Sequence, residues 1–109
     1  MQYWDLRSQA VEPHHPAILH SARGEARSIL IRLPAGEELQ EHQVHERAYV
    51  VVVEGEIEIR GGDGTISGGP GLLAVFDPAE RHEVRARADT RLLIVLAPWP
   101  GDGHPGARD

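Results

Sequence analysis

Histidine is the residue of this chain best suited to chemistry, and three of its seven histidines stand in ordered company. His42 and His45 lie three apart in EHQVHERAYVVVVEGE (residues 41–56), and His82 opens HEVRA after a DPAER turn. Imidazole ligates divalent metals and exchanges protons near neutral pH, so a histidine pair that meets a third across a fold could hold an ion. Cysteine is absent, which leaves only nitrogen and oxygen donors. All eleven basic residues are arginine, so lysine Schiff-base and lysine general-base chemistry are excluded.

Phase decides which of these side chains could converge. In a strand, Gln40, His42 and Val44 face one way and His45 the other, so His45 joins His42 only through a bulge or turn. Glu46 is in phase with His42. His82 shares a face with Val84 and Ala86 and is expected to point inward, as a ligand or as a hydrogen-bonded core histidine. His45 reads equally as a solvated loop residue. Glu46 and Arg47 are either a solvated pair or a ligand and a guanidinium that recognises a substrate carboxylate, with Gln40 a further candidate contact. His14, His15 and His104 sit in proline-rich arms and are given no role.

The elements that must position these residues are short. Twenty glycines and prolines cut the chain into turn-bounded pieces at PAG (34–36), GGDG (61–64), GGPG (68–71), DP (77–78) and PWPGDGHPG (98–106). Between them, Ser28–Leu33, Ala48–Val53, Glu56–Arg60, Leu72–Phe76, His82–Ala86 and Thr90–Ala97 are rich in Val, Ile and Leu and read as strands. An all-β sandwich or barrel follows. AYVVVV and LLIVL do not alternate, so both their faces should be covered, which favours a homodimer. One segment has a second reading: EELQEHQVHERA (37–48) is made of good helix formers, and in a helix His42 and His45 would share a face. It enters VVVV without a helix stop, so a strand and loop is simpler.

The order of these features resembles the cupin superfamily over roughly residues 28–97. Gly36, five residues, His42, an aliphatic run, Glu54-Gly55, the GGPG turn, Asp77-Pro78 and His82 follow the two-motif pattern of a small single-domain cupin. The resemblance implies a cupin-type β-barrel, or double-sheet jelly roll. It also implies four ligands on a divalent metal: two histidines in HxH spacing, a glutamate, and a histidine from the second motif. His42 and His82 match two of these positions; the second HxH position holds Val44 and the glutamate position Ala48. A metal centre would then rest on His42 and His82, with His45 or Glu46 completing the shell. The ion would be Fe, Mn, Ni, Cu or Zn, with open positions suited to oxygenase, isomerase or lyase chemistry. The alternative is a metal-free cupin that binds a small-molecule ligand or serves as a dimeric module.

Length and charge bound the rest. A chain of 109 residues is one domain: an arm (1–27) with a possible edge strand, a barrel (28–97) and a Pro/Gly-rich tail (98–109) whose last stretch, GDGHPGARD, is expected to fray. The formal net charge of −6 and singly scattered arginines argue against a nucleic-acid partner. MQYWDLRSQA has no apolar core of the kind a secretory leader needs, and no apolar run approaches the ~18 residues of a membrane span. The expectation is a cytoplasmic protein with no membrane partner.

Overall fold

The computed structural model describes residues 1–42 and 44–105; the side chains of Gln40, Glu41 and His42 lie outside the description. Within it the chain forms nine strands: β1 (Ala17–Ser21), β2 (Glu25–Leu33), β3 (Glu38–His42), β4 (Arg47–Glu54), β5 (Ile57–Gly61), β6 (Gly64–Gly68), β7 (Leu73–Phe76), β8 (His82–Ala86) and β9 (Thr90–Trp99). They make a five-stranded sheet, β1-β2-β9-β4-β7, and a four-stranded sheet, β3-β8-β5-β6. Every pairing is antiparallel. The all-β reading holds, and the sheets face each other as the double-sheet jelly roll does.

Alternation builds the core from both sheets. Val50, Val52 and Leu92 from the larger sheet and Ile57, Ile59 and Val84 from the smaller are buried in one cluster, because period-two strands turn every second side chain to the same face. At the β4–β5 turn, Gly55 has φ +95, and a Cβ there would stand 2.3 Å from Thr90 Oγ1 and 2.6 Å from the Asp89 carbonyl oxygen. Only glycine fits that approach.

Three strands lie outside the six apolar runs. β1 does pair along β2, as an arm at a sheet edge should. β3 takes up part of the segment with helical composition: Glu38 and Leu39 pair with Arg85 and Val84 of β8, so cross-strand pairing overrides propensity there. The GGDGTISGGPG stretch is more than turns, since Thr65–Ser67 pair with Glu58–Arg60 as β6. The tail also departs from expectation. β9 continues to Trp99, Gly101 is buried, and His104 meets His45 and Trp99; residues 106–109 lie outside the described residues.

The outer face of the larger sheet is apolar, as the unbroken runs predicted. Val51 stands between Leu93 and Leu73, and Tyr49 between Val95 and Val75, in two cross-strand rows. The arm before β1 covers one side of this face. Arg91 Nη1 donates to the carbonyls of Leu6 (3.1 Å) and Gln9 (2.6 Å), and Val11 and the outward Leu30 are buried. At the other side Leu73 and Val75 remain about half exposed.

Candidate ligand cavity

Between the sheets lies a cavity of about 150 Å³. The larger sheet contributes Ile29, Ile31, Ala48, Val50, Ile94 and Leu96 to its wall; Leu39, Val44 and Val84 complete the apolar part, and His82 is the one polar residue among the described residues of the wall.

His82 is buried, as its phase predicted. Its Nδ1 lies 3.2 Å from the Glu80 carbonyl oxygen, which can only accept, so the proton of a neutral ring sits on Nδ1 and the lone pair on Nε2. Its ring stacks on Phe76 of the facing sheet, centroids 3.8 Å apart and planes 10° apart. A carbonyl on one side and an aromatic face on the other hold the imidazole in one orientation.

The remaining candidates are distributed unevenly. His42 ends β3 as the cross-strand partner of His82, so the backbone brings the two histidines opposite each other; the side chains of His42 and Gln40 lie outside the described residues. His45 is exposed in the loop before β4, its ring in an edge contact with His104 at 5.7 Å. His104 in turn meets Trp99 at 4.7 Å, and Arg27 stacks over Trp99 at 4.0 Å.

Glu46 is not a solvated loop residue. It is 1% exposed, and its Oε2 accepts a 2.7 Å hydrogen bond from the Gly101 backbone N–H. The folded tail creates that burial, and sequence pattern carries no signal for a contact 55 residues away. Arg47 pairs with Asp77 at the surface and is not part of the cavity wall.

A metal centre asks for more donors than the described wall supplies. Val44 and Ala48, the positions where the cupin motif would place a histidine and a glutamate, present aliphatic groups to the cavity. Glu46 is engaged by Gly101. Among the described residues no group of three or more His, Asp or Glu is arranged to hold an ion. The described donors alone do not make up a four-ligand centre.

The second hollow, of about 250 Å³, shares Ile31 and Leu39 with the cavity and is rimmed by Glu12, His14, Arg32 and Glu37. There His14 meets Glu37 at 3.2 Å. Arg32 forks onto Asp89 through two 3.2 Å hydrogen bonds, which hold its guanidinium pKa above the ordinary value. Among the described residues no helix is long and apolar enough to cross a membrane.

Comparison with known proteins agrees with this architecture. The structure is similar to that of an RmlC-like cupin protein from Desulfovibrio desulfuricans, with a TM-score of 0.78 and 28% identity over 90% of this chain and 97% of that one. It is also similar to TT1209 from Thermus thermophilus, with a TM-score of 0.76 and 26% identity over 90% and 98% of the two chains. KdgF from a Halomonas species shares the fold at 22% identity and a TM-score of 0.66, over 81% and 82%. No curated protein sequence matches this chain. A family model described as the cupin domain matches residues 29–98, a span that runs from within β2 into β9 and includes the histidines paired across β3 and β8; the chain belongs to the cupin family.

Proposed function

We propose that this protein is a small-ligand-binding cupin whose site is the cavity between the sheets, with His82 as the polar anchor. The supporting observation is the cavity wall, which among the described residues is nine aliphatic side chains around one oriented imidazole. A void near 150 Å³ with such a lining suits an apolar body of about benzene size. A polar group of the ligand set against the His82 imidazole then fixes its orientation.

Calorimetric titration with phenol and benzene tests this. Phenol is expected to bind wild type at least tenfold more tightly than benzene, and His82→Leu to abolish that preference while retaining benzene. Equal affinity of wild type for the two probes, or no binding of either, would refute the reading.

The pairing of His42 with His82 across β3 and β8 supports a second reading, in which the two imidazoles share a divalent ion completed by other ligands. Two protein donors hold metal weakly. Titration with Zn(II) or Ni(II) should then show a site lost in both His42→Ala and His82→Ala; retention of the site by either variant removes this reading.

We also infer a homodimer built on the outer rows Tyr49, Val51, Leu73, Val75, Leu93 and Val95. The rows contain no charged residue, so two copies of a −6 chain can meet there without opposing ionised groups.

A further inference from the structure

We propose that Phe76 sets the length of ligand the cavity accepts, and that the cleft beyond it is a second ligand subsite; this rests on the cavity being the binding site. β7 ends the larger sheet and β6 ends the smaller, so the sheets are not hydrogen-bonded to each other on this side. A cleft of about 330 Å³ opens there, walled by Ile59 and Ile66 of one sheet and Ala74 and Phe76 of the other.

The cleft and the cavity are two parts of one intersheet space. In the larger sheet Ala48 and Val50, which line the cavity, pair directly with Phe76 and Ala74, which line the cleft. In the smaller sheet Val84 and His82, which line the cavity, pair with Ile59 and Gly61, which line the cleft. Crossing one strand spacing in either sheet therefore passes from one space to the other. What stands between them is the Phe76–His82 stack, one ring from each sheet at 3.8 Å.

This arrangement gives Phe76 two effects on a ligand held at His82. The ring backs His82, which lines the inner cavity of about 150 Å³, and so limits bodies longer than one ring on that side. Its removal leaves His82 alone between the cavity and a cleft about twice as large, whose wall carries Asp63, Thr65 and Glu80 but whose apolar part, Ile59, Ile66 and Ala74, would take an alkyl extension. The subsite's ligand class is thus a single-ring alcohol or phenol bearing an aliphatic chain, admitted in proportion to how far the residue at 76 clears the partition.

Binding of phenol and 4-butylphenol to wild type, Phe76→Leu and Phe76→Ala decides the matter, with thermal melts to identify folded variants. Wild type is expected to prefer phenol by tenfold or more, Phe76→Ala to reverse that order, and Phe76→Leu to fall between. Phe76→Leu keeps a folded core to measure if the alanine variant melts early. If wild type binds phenol but neither variant gains affinity for 4-butylphenol, the inference about Phe76 fails while the cavity reading stands. If wild type does not bind phenol, the cavity reading fails and takes the inference with it.

Discussion

Replacing Gly101 by alanine probes the contact between the tail and the buried Glu46. A Cβ at position 101 would lie 2.3 Å from the His45 carbonyl oxygen and 2.7 Å from its carbon. Those are backbone atoms, so the tail must lift rather than a side chain rotate. Lifting breaks the 2.7 Å bond from Gly101 N–H to Glu46 Oε2. A hydrogen bond to a carboxylate contributes about 1.5–3 kcal/mol, and a buried acceptor left unsatisfied costs roughly 1–3 kcal/mol more, reduced where water enters. The expected loss is about 3 kcal/mol, which for a domain of this size lowers Tm by roughly 10–20 °C. Glu46→Gln keeps an acceptor and should lose about 1 kcal/mol. Urea unfolding of the four members of a Glu46→Ala/Gly101→Ala cycle isolates the contact, and a coupling of about 2 kcal/mol is expected. A Gly101→Ala variant within about 0.5 kcal/mol of wild type would show that this docking contributes nothing to stability.

Three other outcomes are expected. Gly55→Ala meets both a positive φ and the Thr90 backbone and should cost about 3 kcal/mol or more, measured by chemical denaturation; a loss below about 1 kcal/mol would contradict the packed turn. Val44→His with Ala48→Glu places two donors on the cavity wall beside His82 and should raise metal content after purification, read by elemental analysis; unchanged content would mean that these positions cannot reach a shared ion. Leu73→Arg with Val75→Arg charges the exposed end of the outer apolar rows and should convert a dimer to monomer by sedimentation, whereas a wild type that is monomeric at high concentration removes the dimer.

The sequence reading reached the fold through local rules and missed what depends on distant partners. Val50, Val52, Leu92 and Val84 announced their faces by alternation, and Gly55 announced its turn, because strand phase and glycine's conformational range are properties of a few adjacent residues. The inward orientation of His82 was legible for the same reason. β6 was not: Thr65-Ile66-Ser67 is brief and flanked by glycines, and it becomes a strand only because β5 offers a partner. The burial of Glu46 was not legible either, since it comes from residue 101. Phe76, the ring that orients His82, carried no signal beyond apolarity, because the facing of two sheets is a property of the whole chain.

The place of β9 has a consequence for how the chain comes to be folded. It lies between β2 and β4, so the strands contributed by residues 25–33 and 47–54 do not pair with one another and wait for residues 90–99. During synthesis both leave the ribosome with open hydrogen-bonding edges on their β9 sides, and at roughly 5–20 residues per second the interval before their shared partner emerges is on the order of seconds. Nucleation must therefore be long-range and comparatively slow, as non-local β pairing generally is. The vulnerable species is the nascent chain just short of β9, with VVVV and ILIRL open to mispairing, and a chaperone or a second nascent chain would find it there rather than on the finished protein.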